Sequence, residues 1–155
     1  MRRSHSRSSA EVCFYDLDTQ NYMNTNFIGQ ITETQILLEC LKKELSVSIP
    51  YGDKSRYDLI IDYQGKLLRI QIKTARKADV LKEAFIFNCY SVVNGKKHKY
   101  DKTEIDYFAT VWNDKVYLIP VEECSLEKTL WIDEPTHSTC TKANKYLLEE
   151  VLKRI

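Results

Sequence analysis

Residues 56–76 read RYDLIIDYQGKLLRIQIKTAR. Two aliphatic runs flank Gln64-Gly65, a pair that suits a two-residue hairpin turn provided that both residues accept positive φ. With those two as the loop, Tyr63 faces Lys66, Asp62 faces Leu67, Asp58 faces Gln71 and Arg56 faces Lys73. Side chains alternate along a strand, and directly opposed residues project to the same side. One face therefore collects Tyr57, Leu59, Ile61, Tyr63, Leu68, Ile70 and Ile72, with Lys66 at its tip, and is predicted to face the core. The other collects Arg56, Asp58, Ile60, Asp62, Leu67, Arg69, Gln71 and Lys73. It sets a carboxylate, a carboxamide and an ammonium side by side.

Outside this hairpin the chain is an ordinary one. Its 155 residues suffice for one domain with its own core. Hydrophobic residues make up 43% and charged residues 29%, and no apolar run approaches the roughly 20 residues that a membrane span requires. Five widely spaced cysteines without a CxxC pair, and an N-terminus without the apolar stretch of a signal peptide, read as reduced thiols in a cytoplasmic protein. The net charge of +1 hides a division along the chain. Residues 66–102 hold ten Lys/Arg against three Asp/Glu, whereas residues 103–155 hold six against ten. One contiguous third is thus basic, as a phosphate-facing surface requires.

Residues 1–22 show no sustained period and read as a loosely ordered extension, with Met23 a possible alternative start, so the domain is expected over 23–155. Apolar residues at helical spacing predict a helix over 27–45, FIGQITETQILLECLKKEL. SVSIP predicts a short strand before a turn at Gly52-Asp53. EAFIFNCYSVV, residues 83–93, predicts one further strand, followed by a polar basic loop, NGKKHKYDKTE. IDYFATVW and KVYLIPV flank Asn113-Asp114 as a second hairpin. NKYLLEEVLKRI predicts a C-terminal helix that buries Tyr146, Leu147, Leu148, Val151, Leu152 and Ile155. Helix, about six strands and helix make an α/β fold with a mixed β-sheet flanked by helices.

On charge pattern alone, the polar face of the hairpin reads most simply as the solvated side of an antiparallel pair. The order Asp58, turn, Gln71-Ile72-Lys73 nevertheless resembles the PD-(D/E)XK nuclease signature, with Tyr57-Asp58 standing for Pro-Asp and Gln71 for the second acid. The likeness extends to GDKSRYDLIID, LLRIQIKTAR, the preceding helix with Gly29 and Glu33, and NGKKHKYDKTEIDYFATVW with KVYLIPVEE. Over roughly residues 24–155 the chain resembles the homing endonucleases of this superfamily encoded in cyanobacterial group I introns, in which a Gln-x-Lys variant occurs. The resemblance implies a restriction-endonuclease-like core and a Mg²⁺-dependent, site-specific cut of double-stranded DNA, with Mn²⁺ as a substitute ion. It also implies a homo-oligomer, at least a dimer and by likeness a tetramer. Leu126–Ile132 and the C-terminal helix are the expected interface material.

Phosphodiester hydrolysis needs charge stabilisation on the phosphate oxygens and an oriented water, and hard oxygen donors for Mg²⁺ serve the first need. Asp58 supplies a carboxylate, Gln71 an amide oxygen and Ile72 a backbone carbonyl. Lys73 is expected to stabilise charge at the phosphate as a protonated donor, since acting as general base would require a much lowered pKa. Glu33 lies on a line with Gly29, Ile36 and Leu37 that is expected to face the sheet. The resemblance puts it at the metal site.

Lys96, Lys97, His98, Lys99 and Lys102 with Tyr100, together with Arg76 and Lys77, form the expected phosphate-contacting footprint. Arg56 and Arg69, on the site face of the hairpin, are expected to reach a groove. His5 and His137 have no evident partners, and no Ser-His-Asp set, P-loop or GxGxxG occurs. Two other readings remain open: a structure-selective nuclease such as a junction resolvase, and a non-catalytic DNA-binding module with a degenerate nuclease core.

Overall fold

In the computed structural model, which describes residues 24–80, 83–133 and 140–155, the quoted hairpin forms with the predicted register. Strand β2 (Leu59–Tyr63) runs antiparallel to β3 (Lys66–Ile72), with Tyr63 opposite Lys66 and Leu59 opposite Ile70. Gln64 and Gly65 both hold positive φ, 53° and 80°, as the tight turn requires. Leu59, Ile61, Leu68, Ile70 and Ile72 are buried as expected. Tyr57 departs from the alternation. It precedes β2 and packs against an aromatic cluster on the other side of the sheet.

Helix α1 (Thr25–Lys42) opens the described chain, with the Asn24 side chain accepting from the Asn26 N–H. It ends three residues earlier than the spacing predicts. Leu45 N–H bonds the Cys40 carbonyl, Glu44 N–H bonds that of Leu41, and Glu44 sits at φ 57°. That pairing closes a helix end in the Schellman manner, which needs a left-handed residue just past the cap. Strand β1 (Ser46–Ser48) then pairs with β2.

Strands β8 (Tyr107–Trp112) and β9 (Lys115–Pro120) form the second predicted hairpin, turning through Asn113 and Asp114 at φ 48° and 56°. Strand β8 lies parallel to β3, so the central sheet runs β1-β2-β3-β8-β9 with one parallel junction. A parallel neighbour demands a crossover, and residues 73–106 supply it. The expected mixed sheet is present.

The crossover is richer than the predicted strand and loop. Strand β4 (Arg76–Lys77) and β5 (Ala84–Asn88) join β10 (Glu127–Trp131) in a three-stranded sheet, while β6 (Tyr90–Val93) pairs only with β7 (Lys96–Lys99). The single strand predicted over 83–93 breaks at Cys89, because β10 supplies partners only as far as Asn88 and the Cys89 N–H turns to the Leu126 carbonyl. The predicted basic loop is instead a hairpin turning at Asn94-Gly95, both at positive φ.

Apolar layers cover both faces of the central sheet. One layer joins Ile36 and Cys40 of α1 to Ile61, Ile70, Leu118 and Leu148. The other is aromatic: Phe85 lies 5.0 Å from Tyr117 and 5.4 Å from Trp112, and Tyr100 meets Phe108 edge-on at 5.5 Å. The C-terminal segment is not one helix. A 3-10 turn at Asn144–Tyr146 breaks at Leu147, which takes an extended conformation to bridge Tyr117, before α2 (Leu148–Leu152) begins. Leu148, Val151 and Leu152 of α2 pack into the chain's own core. The expected extension over 1–22, Met23 and His137 lie outside the described residues.

Candidate active site

Asp58 stands one residue before β2, where the predicted ladder ends and its N–H bonds the Ile70 carbonyl at 2.8 Å, and its side chain still meets Gln71. Asp58 Oδ2 accepts from Gln71 Nε2 and from the Ile72 N–H, both at 2.6 Å. Gln71 is buried, and its Nε2 also lies 3.3 Å from the Ile72 carbonyl oxygen. A carboxylate attracts the NH₂ end of an amide, so this orientation is the one charge demands. Burial raises the Asp58 carboxyl above its ordinary value, against the Ile72 N–H, the Lys73 charge and the Gln71 amide, which pull it down.

Lys73 stands where β3 leaves the sheet, its N–H bonded to the Ala109 carbonyl at 2.9 Å. Its Nζ lies 5.2 Å from the centre of the Tyr100 ring. Burial lowers its pKa, Asp58 opposes that shift and Arg56 adds to it. Thr32 of α1, hydrogen-bonded hydroxyl to hydroxyl with Thr74 at 3.2 Å, ties the helix to the segment just after Lys73. The helix residues that face the sheet are Thr32, Ile36 and Cys40. Glu33 is therefore exposed rather than sheet-facing, because it lies one residue round the helix from Thr32. It still feels the site: burial and then the Asp58 charge raise its carboxyl above the ordinary value.

The oxygens of Asp58 and Glu33 and the Ile72 carbonyl are hard donors of the kind that Mg²⁺ takes. Among the described residues no three His, Cys, Asp or Glu side chains form a ready cluster for a metal. Gln71, expected to offer its amide oxygen, presents nitrogen to Asp58 and Ile72 instead. Its amide must turn over before the oxygen can join the other donors.

The two arginines of this face have structural partners. Arg69 donates from Nε and Nη2 to the Asp106 carboxylate, both at 3.0 Å, and to the carbonyls of Thr103 at 2.5 Å and Lys102 at 2.8 Å. A guanidinium so engaged serves the fold through these partners. Arg56 donates to Glu104 at 2.8 Å and to Ser91 Oγ at 2.8 Å, and lies 4.1 Å from the Tyr100 ring centre. Tyr100, expected in the DNA footprint, is only 4% exposed and belongs to the aromatic core.

The rest of the expected footprint is on the surface. Lys96, Lys97, His98 and Lys99 are exposed along β7. Lys102 pairs with Glu122 and Arg76 with Glu127, and Lys77 is exposed beside Arg76 on β4. Glu104, Ser91, Thr32 and Thr74 escaped the sequence reading. Arg56 and Glu104 lie 48 positions apart, so no local pattern links them.

The family model described as PD-(D/E)XK endonuclease matches residues 23–147. No match was found among curated proteins. Among solved structures, that of a bacterial homing endonuclease, I-Ssp6803I, resembles this chain with a TM-score of 0.69 at 19% identity, over 84% of this chain and 95% of that chain. The shared architecture is the restriction-endonuclease-like mixed sheet flanked by helices.

Proposed function

The chain belongs to the PD-(D/E)XK endonuclease family, and from that membership we propose that it is a Mg²⁺-dependent, site-specific double-strand DNA endonuclease of the intron-homing type. The observation that carries this reading is the hydrogen bond from Gln71 to Asp58 at the end of β3, two residues before Lys73.

Asp58, the Ile72 carbonyl and Glu33 would hold the cation, joined by Gln71 once its amide turns. When bound, the ion supplies positive charge for the phosphate oxygens. Lys73 donates to the scissile phosphate or to the attacking water, and its half-buried place near Tyr100 keeps that charge poorly screened. Asp58 and Glu33 must be ionised to serve, which their raised pKa values make a condition on pH.

The described residues of each chain carry one such site, so a cut in both strands calls for at least two subunits about a two-fold axis. Leu38 and Leu41, exposed on α1, offer apolar surface for subunit contact. The likeness to a homing endonuclease is consistent with long-site cleavage.

The test is incubation of the full chain with duplex DNA carrying a candidate intron-free insertion site, with and without Mg²⁺, beside Lys73→Met. Cutting of that duplex by the wild type with Mg²⁺, and loss of about 10²–10³ in rate in the variant, supports the proposal. Cutting confined to four-way junctions would make it a resolvase. Binding without any cutting would make it a DNA-binding module.

A further inference from the structure

Strands β6 and β7 form a two-stranded ribbon that pairs with neither of the other sheets. From Val92 to Lys99 every residue is exposed. Between Tyr90 and Tyr100 there are three lysines and a histidine and no acid. Two valines stand open near the tip, Val92 at 61% and Val93 at 48%. Packing among the described residues leaves about half or more of each valine open to solvent.

Register sorts the ribbon into two faces. Ser91 pairs with His98 and Val93 with Lys96, so these four share one side. Tyr90 pairs with Lys99 and Val92 with Lys97, and they share the other, where Lys97 Nζ sits 4.3 Å from the Tyr90 ring centre. The faces are rooted differently. Ser91 Oγ accepts from Arg56, whose guanidinium lies over the same Tyr100 ring that Lys73 approaches. The Ser91 side of the ribbon is therefore the side turned toward the reacting end of β3.

We propose that the β6–β7 ribbon enters the major groove of the duplex beside the cut, with Val93, Lys96 and His98 reading base edges while Lys97 and Lys99 on the opposite face meet phosphates. This assignment rests on the DNA-cleaving reading above. A major groove about 12 Å wide admits a two-stranded ribbon. Four residues per strand extend about 13 Å, enough to reach a groove floor about 8.5 Å deep. The chemistry suits the floor: Lys96 and His98 can donate to guanine O6 and N7, and Val93 can pack on a thymine methyl. The Arg56–Ser91 contact fixes the ribbon's root to the hairpin that carries Asp58, which ties the position of the read bases to that of the cut.

Selection from a randomised duplex pool, with the full chain in a Lys73→Met background and Mg²⁺ present, yields the preferred site without cutting. Lys96→Gln and Lys97→Gln remove the same charge from adjacent residues on opposite faces. With Lys96→Gln or His98→Ala, discrimination between the selected site and the pool should fall about tenfold. The loss should map to one or two neighbouring base pairs, and N7 methylation there should no longer interfere. Lys97→Gln should weaken all duplexes alike. Equal, sequence-blind losses from Lys96→Gln and Lys97→Gln would overturn the groove assignment. So would an unchanged consensus in both Lys96→Gln and His98→Ala. If the wild type selects and cuts a site under that outcome, the endonuclease reading stands and the ribbon assignment alone falls. If it neither binds nor cuts any duplex, both fall.

Discussion

Gln71 Nε2 donates to Asp58 Oδ2 at 2.6 Å, and the same nitrogen faces the Ile72 carbonyl oxygen at 3.3 Å. An amide NH₂ thus sits against two oxygens of the kind that would help to hold a divalent cation. It offers them partial positive charge, and it lets a buried carboxylate exist without a metal. A glutamate there would set a second carboxylate against that of Asp58, with Lys73 offsetting only part of the repulsion. Gln71→Glu should therefore lower the Mg²⁺ midpoint for cleavage about tenfold, equivalent to about 1.4 kcal/mol. It should also lower the stability of the metal-free protein, so that Mg²⁺ raises the melting temperature more in the variant than in the wild type. Equal midpoints and equal thermal shifts would exclude Gln71 from the metal site.

Asp58 and Glu33 set the pH behaviour. Burial is the largest cause of the raised pKa in each, with the Asp58 charge a second cause for Glu33. The folded protein then keeps its protons to a higher pH than the unfolded chain does. Each group contributes stability that is full below its ordinary value, 3.8 for Asp and 4.5 for Glu, and that is lost as pH rises through the higher folded value. Melting temperatures in chelator should decline across a window that begins near those ordinary values, and Asp58→Asn should flatten the decline. Cleavage has the opposite slope, because the ionised pair is needed to hold the cation. Its acid limb should lie above the ordinary carboxylate range and move toward lower pH as Mg²⁺ concentration rises. A limb indifferent to Mg²⁺ would detach it from these carboxylates.

Where a rule acts between neighbours, the sequence was readable. Gln64-Gly65 dictates the register from Tyr63–Lys66 to Leu59–Ile70, and that register leads Asp58 toward Gln71. Asn94-Gly95 carries an equally strong hairpin signal, but the basic residues after it read as a polar loop, so β7 is not legible in the sequence. Other misses arise where distant segments meet. The side of α1 that docks on the sheet buries Ile36 and Cys40 and joins Thr32 to Thr74, and this leaves Glu33 exposed. Arg69 looked free until Asp106, 37 positions away, came beside it. Leu147 fits a helical period, yet Tyr117 draws it into a bridge and breaks the helix.

Helix α1 ends on a residue that its geometry does not favour. Glu44 holds φ 57° just past the cap, where glycine is usual because a Cβ there meets the following carbonyl. Both closing bonds, Leu45 N–H to Cys40 and Glu44 N–H to Leu41, use backbone only and would survive substitution. Glu44→Gly should raise the unfolding free energy by about 0.5–1 kcal/mol, net of the entropy that glycine adds to the unfolded chain. Urea unfolding measures this, and a loss of stability would mean that the Glu44 side chain does more than the helix end requires.

Arg69 separates a structural role from a DNA contact. Its guanidinium holds Asp106 through two bonds and the Lys102 and Thr103 carbonyls through two more, and the Asp106 carboxylate also accepts from the Arg69 backbone N–H at 2.9 Å. The Arg69 charge and hydrogen bonds hold the Asp106 carboxyl below its ordinary value, although burial works against them. This cluster closes the approach to β8 and thereby sets β8 against β3, on which Gln71 and Lys73 stand. Arg69→Ala should cost about 2 kcal/mol of stability, the scale of a charged hydrogen-bond set losing its donor. Reduced cleavage should follow from looser placement of Lys73. The dependence of duplex binding on salt should barely change, whereas a lost phosphate contact would reduce the slope by about 0.9. Unfolding curves and binding isotherms at several salt concentrations, measured on the same variant, decide between them: an unchanged stability with a reduced slope would return Arg69 to the DNA surface.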